Sequence, residues 1–372
     1  MSNLDVLFSP YRLHTLDLPN RVVMAPMTRS LSPAGVPTAD MAAYYRRRAE
    51  HGVGLIITEA AGIDRPAALN EPDMPRFHGE TALAHWKTIV DEVHAAGGRI
   101  APQLMHVGQK RSNAASGWIP PAPYESPSGL ALTGQPAGKP MTDADVAQTI
   151  DAFARAAADA ERTGFDAVEL HGAHNYLINQ FFSEDLNLRS DPYGGSTLLA
   201  RSRFAIEILK SIRAVVSRDF PVILRLSQWK PKDFNARLAA TPQILEQWLG
   251  ALVDAGAGAD AFHLSQQQFW QAAFPEVHAG LNLAAWAKKL TGVAAITVGS
   301  VGLTRDVYAS FAGQRAQTAS LDGLLERLAR DEFDLVAVGR PLLQDAAWLD
   351  KIRENRLEAI ADFTPAAFAT LS

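Results

Sequence analysis

At 372 residues, with 47% hydrophobic and 20% charged side chains and a formal net charge of −5, the chain has material for a full core and no basic excess for nucleic acid or an anionic membrane. It has no cysteine, which excludes disulfides, thiol catalysis and cysteine-held zinc or iron–sulfur clusters. The opening MSNLDVLFSPYRLHTLDLPNR lacks an apolar signal core, and no apolar run approaches the ~20 residues that cross a bilayer, so a cytoplasmic protein is expected.

Eight short runs rich in Val, Ile and Leu follow one another: RVVMAPM (21–27), VGLIITEA (53–60), RIAPQLM (99–105), FDAVELH (165–171), FPVILRLS (220–227), ADAFHLS (259–265), AITVGS (295–300) and FDLVAVGR (333–340). Their nearly continuous apolar character suits parallel strands covered on both faces. Helical patterns alternate with them. YYRRRAEHG reads as the solvated end of the first, and TALAHWKTIVDEVHAAGG and TPQILEQWLGALVDAGA as complete helices. MTDADVAQTIDAFARAAADAERTGF has a Thr/Asp start and a Gly stop at Gly164. The Pro-, Gly- and Ser-rich stretch 106–141 after the third strand is too long for a simple connection and reads as a capping insertion. The alternation predicts an α/β fold, a (β/α)8 TIM barrel filling one domain over 1–372.

Such a barrel carries its chemistry where strands end. The ends here are Pro26-Met27-Thr28, Glu59-Ala60, Gln103 with Met105, His171 with His174 and Tyr176, Arg225, Ser265, Gly299-Ser300 and Gly339-Arg340. The last two pairs, after strands seven and eight, suit a phosphate group, because glycine admits close backbone approach and a guanidinium complements the charge. The stretch ELHGAHNYLINQF (169–181) admits three readings. His171 and His174 with Glu184 or Asp185 would be a metal site, but a third ligand at a recognisable spacing is missing. A second reading has the three side chains only pack, which is costly for unpaired polar groups. The favoured reading is an oxyanion site: two neutral imidazoles donate to a carbonyl gaining charge, and the Tyr176 hydroxyl delivers a proton.

LPNRVVMAPMTR, QLMHVGQK, ELHGAHNYLINQF, NLRSDPYGGS and LVAVGRPLL together resemble the Old Yellow Enzyme family of FMN-dependent ene-reductases. The resemblance runs in order from about Leu7 to Leu349. It implies a flavoprotein oxidoreductase that takes hydride from NADPH or NADH. The activated C=C bond of an α,β-unsaturated carbonyl compound is then reduced by hydride from flavin N5 and protonation by Tyr176. It further implies that Ala25, Pro26, Met27, Thr28 and Ala60 line the flavin, that Gln103 and Arg225 meet its pyrimidine edge, and that Gly299, Ser300, Gly339 and Arg340 hold its phosphate. His171 and His174 would hold the substrate carbonyl, with Met105 beside them.

Three departures from the family pattern bear on this. Met105 stands where many members have tryptophan, Asn175 where glycine is usual, and SEDLN replaces a proline-containing loop. Thr28 also takes the place of the cysteine found in one branch. Without cysteine the iron–sulfur domain carried by some members is not expected. The glutamine run in LSQQQFWQAAF has no assigned role, Trp229 and Trp270 are candidates for the mouth, and Phe363 and Phe368 for a homo-oligomer contact or for docking on the barrel. Alternative readings are another FMN barrel oxidoreductase of hydroxy acids or dihydropyrimidines, a non-redox barrel enzyme acting on a phosphorylated substrate, and a flavin-binding protein without turnover.

Overall fold

A computed structural model describes residues 3–109, 118–230, 233–254, 256 and 258–372. Eight parallel strands close into a barrel: β1 (Val22–Met24), β2 (Leu55–Gly62), β3 (Ile100–Met105), β4 (Val168–Gly172), β5 (Val222–Ser227), β6 (Ala261–Ser265), β7 (Ala294–Val298) and β8 (Leu335–Val338), with β8 pairing back onto β1. Each lies within the run expected of it, apart from ends shifted by one or two residues. A two-stranded antiparallel hairpin, Tyr11–Leu13 and Leu16–Leu18, precedes the barrel. It packs Leu13 and Leu18 against the bottom of the interior.

Side chains alternate across a strand, so each barrel strand feeds two cores. Ala101, Ala167, Ile223, Ala261, Ile296 and Leu335 point inward and fill the floor of the barrel. Leu104, Val168, Leu170, Leu224, Leu226, Phe262 and Leu264 point outward under the helices. This double burial is why the strands read as continuous apolar runs.

The covering helices are α1 (Ala39–Glu50), α2 (Glu80–Ala95), α3 (Asp143–Thr163), α4 (Arg203–Arg213), α5 (Pro242–Val253), α6 (Leu283–Thr291) and α7 (Asp322–Ala329), followed after β8 by α8 (Arg340–Gln344) and α9 (Trp348–Arg353). In α3 the Thr/Asp start is a capping box between Thr142 and Asp145, and Gly164 ends the helix at φ 95°. The reading of YYRRRAEHG as solvated is corrected in part. Arg46 is partly exposed and pairs with Glu50 and Glu92. Arg48, however, is fully buried, donating to Leu342 O at 2.8 and 3.1 Å and Tyr44 O at 2.9 Å and lying 3.8 Å over the Tyr44 ring. It satisfies carbonyls of α1 and α8, which lie nearly 300 residues apart in sequence.

Of the expected insertion 106–141, residues 110–117 lie outside the described residues. The described part is tied down by ionic contacts. Glu125 is gripped by Arg65 and by His106 Nε2 at 2.6 Å, and Arg189 donates to Pro127 O and Met141 O. Phe363 is buried and packs on Phe368, whose ring meets Phe311, so both phenylalanines dock on this chain. Among the described residues no helix is long and apolar enough to cross a membrane.

Candidate active site

Above the apolar floor, the inward positions turn polar toward the strand ends: Gln103 on β3, Glu169 and His171 on β4, Arg225 and Ser227 on β5, His263 and Ser265 on β6. All are buried. On β2 a register shift between Ile57 and Ala60 sets Ala60 opposite Gln103. The Glu59 side chain instead accepts the backbone N–H groups of Arg29, at 2.8 Å, and Ser30. Burial raises the Glu59 carboxyl to about 7. Bulges of this kind re-aim side chains beside active sites.

The turn after β4 brings the three predicted residues together. The His171 ring centre lies 5.2 Å from that of His174 and 4.6 Å from that of Tyr176, both edge-on. His174 and Asn175 both adopt left-handed φ, 61° and 60°, a conformation that strains most non-glycine residues. The turn is held from several sides. His174 N–H donates to Ser227 Oγ at 3.1 Å and Asn175 N–H to Asn179 Oδ1 at 3.1 Å, while Gln180 Nε2 donates to Asn175 O at 2.7 Å. Ala173 N–H donates to His171 Nδ1 at 3.3 Å, which puts the proton of a neutral His171 on Nε2. His174 Nε2 lies 2.8 Å from Ser265 Oγ, and its ring packs on Trp229 at 4.7 Å. Tyr176 packs against a small apolar cluster containing Ala60, Met105 and Val107. Asp185, one of the alternative metal ligands, is engaged elsewhere by Lys230 at 2.6 Å.

Deeper in the barrel, Glu169 Oε1 accepts from Gln103 Nε2 and Oε2 faces His263 Nδ1, each at 2.7 Å. Arg225 is register neighbour of both His171 and His263. Burial lowers its pKa, with the charge of Glu169 opposing that shift. Arg225 Nε and His263 Nε2 are buried with no hydrogen-bond partner among the described residues.

The β7 and β8 ends form a second group. Gly299 has φ 134°, and a Cβ there would come within 2.4 Å of Gln266 O. Ser300 takes φ 51° and donates to Gln267 O at 2.9 Å. Gly339 faces Met27 and Ala25, where a Cβ would lie 3.3 Å from Met27 Sδ. Ala25 is buried, Pro26 and Met27 half-buried, and Thr28 exposed. Arg340 ties the two loops together, donating to the carbonyls of Arg305 and Asp306 and to Ser310 Oγ; burial lowers its pKa to about 10. Gln266 also finds a role here, accepting from Leu283 N–H at 2.6 Å and donating to Gln271 O, so it latches the loop after β6 to α6. Beside Trp229 a cleft of about 540 Å3 opens among Gln228, Phe234, Arg237, Gln266 and Gln267. Trp270 is 40% exposed and packs edge-on against Phe269.

Sequence reasoning missed Glu169 and His263. Each is a titratable residue within a largely apolar strand run, VELHG and AFHLS. A titratable group inside such a run was the available signal.

A closed parallel barrel with a polar mouth and glycine turns after β7 and β8 has the layout of an enzyme that takes a phosphate-bearing ligand. A family model described as the NADH:flavin oxidoreductase / NADH oxidase family matches residues 6–359, and the chain belongs to that family, the Old Yellow Enzyme family of FMN- and NAD(P)H-dependent oxidoreductases. Among curated relatives it is 40% identical over 215 residues to 12-oxophytodienoate reductase 1 of Oryza sativa subsp. japonica, a match covering 56% of each chain. It is 32% identical to NADH oxidase of Thermoanaerobacter brockii over 97% of this chain and 52% of that one. The chain thus spans about half the length of these relatives. A solved structure of morphinone reductase in complex with tetrahydroNAD superposes with a TM-score of 0.76 at 28% identity, covering 97% of this chain and 93% of that one.

The residues fit FMN, the family's cofactor. A buried guanidinium with an unpartnered Nε–H suits an electron-rich ring edge. At the ends of β7 and β8, Gly299 and Gly339 sit where a side chain would meet neighbouring atoms.

Proposed function

We propose that this chain is a cytoplasmic ene-reductase, one FMN-binding barrel domain over 1–372, acting on α,β-unsaturated carbonyl compounds. The observation that carries this reading is the packing of His171, His174 and Tyr176 on one strained turn. Bound FMN supplies hydride transfer from NADPH or NADH to the alkene. Gln103, Arg225, Ala60 and residues 25–28 would line its ring, and Gly299, Ser300, Gly339 and Arg340 would surround its phosphate.

The protein's own part is to handle charge and a proton. His171, with Nδ1 occupied by a backbone N–H, offers its Nε2 proton to the substrate carbonyl oxygen. His174, in the tautomer that accepts from Ser265 Oγ at Nε2, would offer the proton on Nδ1. Two donors fixed in advance stabilise negative charge on that oxygen without reorganising. Tyr176, its ring centre 4.6 Å from that of His171, supplies the proton to the α-carbon. Met105, in the apolar cluster with Tyr176, fills space where it would shape the alkene's orientation. Tyr176→Phe is expected to slow alkene reduction by about 10² to 10⁴ while reduction of the enzyme by NADPH proceeds unchanged. Equal loss in both half-reactions, followed by stopped-flow absorbance, contradicts the assignment.

A further inference from the structure

The Glu169 carboxylate is entirely buried, as is its partner His263. Stability gives no reason for a carboxylate at this depth, since ion pairs in such places are readily replaced by apolar side chains. The layer immediately beneath is in fact built from Ala, Ile and Leu. Glu169 and His263 come from alternate strands, β4 and β6, which is how one layer of a barrel interior is filled.

A carboxylate only accepts hydrogen bonds. With Oε1 taken by Gln103 at 2.7 Å, the Gln103 amide must turn its NH2 inward and present its oxygen as acceptor. With Oε2 taken by His263, that imidazole must carry its proton on Nδ1. Gln103 is pinned at its backbone as well, its N–H donating to Thr58 Oγ1 at 3.3 Å. Arg225 is in register with His263, and the charge of Glu169 acts on it.

We propose that Glu169, locked between Gln103 and His263, is a positioning residue of the cofactor site: it fixes the Gln103 amide with its oxygen toward FMN and offsets the charge of Arg225. This rests on the reading that Gln103 and Arg225 meet the flavin ring. Glu169 therefore acts at one remove on both affinity and redox potential.

In Glu169→Gln one acceptor becomes a donor. The Gln103 amide is then free to flip, presenting NH2 where an oxygen stood, and the negative charge beside Arg225 is gone. Titration of apoprotein with FMN, followed by flavin fluorescence, should show binding weakened about tenfold to a hundredfold. The flavin midpoint potential should move upward, since an anionic reduced ring meets less opposing charge. Adding E169Q to Gln103→Ala should weaken FMN binding little beyond Gln103→Ala alone, because residues acting through one another are non-additive.

Unchanged affinity and potential in E169Q, with only a lower thermal midpoint, overturns the proposal in favour of a structural role. If Gln103→Ala weakens FMN binding and E169Q does not, the proposal fails while the reading of Gln103 stands. If Gln103→Ala itself binds FMN normally, both fail. Should E169Q not fold, His263→Phe and His263→Gln replace it. Weakened binding in the first, restored in the second where the amide still donates to Glu169, supports the proposal, and equal behaviour of the two overturns it.

Discussion

Asn175 occupies a left-handed position, φ 60°, directly after His174 at φ 61°. Asparagine tolerates this conformation better than other side chains, after glycine, and a β-branched residue there costs about 1–2 kcal/mol. The usual family glycine and this asparagine thus both suit a left-handed backbone position. The Asn175 side-chain amide oxygen, Oδ1, is buried with no partner among the described residues. Asn175→Gly is therefore expected to leave the thermal midpoint essentially unchanged or slightly raised, whereas Asn175→Val lowers stability by about 1–2 kcal/mol and displaces Tyr176. Equal midpoints for the two variants contradict the backbone account. His171, His174 and Tyr176 stood out in the sequence because they crowd a strand end. Glu169 and His263 did not, since the contacts that join them to each other and to Gln103 span 94 and 66 residues of sequence and arise only when the barrel closes.

Among the connecting elements, the described part of the 106–141 insertion depends on Glu125. Burial alone would raise its carboxyl, but hydrogen bonds and charge from His106 and Arg65 hold it at about 2, below the ordinary 4.5. A depressed carboxyl contributes stability that is fully present above the ordinary value and is lost as pH falls through 4.5 toward 2. Chemical denaturation is expected to show this acid limb in the wild type. Glu125→Gln should lose about 3 kcal/mol at neutral pH and show a shallower decline in the same window; parallel acid limbs contradict the assignment. NLRSDPYGGS belongs to the same scaffolding. Arg189 pairs with Asp191 and reaches the carbonyls of Pro127 and Met141, and Gly194 leaves no room for a Cβ against Arg189 O. A stretch that carries the family resemblance thus fastens the described part of the 106–141 insertion. Strand and helix positions were legible because their periodicity is local. The burial of Arg48 was not, because its acceptor at Leu342 is brought near only by closure of the barrel.

Across the whole molecule, polarity is graded along the barrel axis. An apolar floor gives way to the Gln103–Glu169–His263 layer with Arg225, and then to the histidine turn at the mouth. Arg29 secures the rim beside residues 25–28, donating to the carbonyls of Ala367, Phe368 and Thr370 at 3.1, 2.8 and 2.7 Å. The strand count announced this architecture, but the gradient emerges only once the register between strands is known. Under the proposed function, a flavin and a conjugated carbonyl would meet at these charge-handling groups. Anaerobic stopped-flow absorbance near ~450 nm, where oxidised flavin absorbs, tests that most directly: FMN-loaded protein is mixed with NADPH and then with a cyclic enone. Bleaching by NADPH, recovery on adding the enone and formation of the saturated ketone are the expected result. Bleaching that only oxygen reverses, with the enone recovered intact, would contradict it.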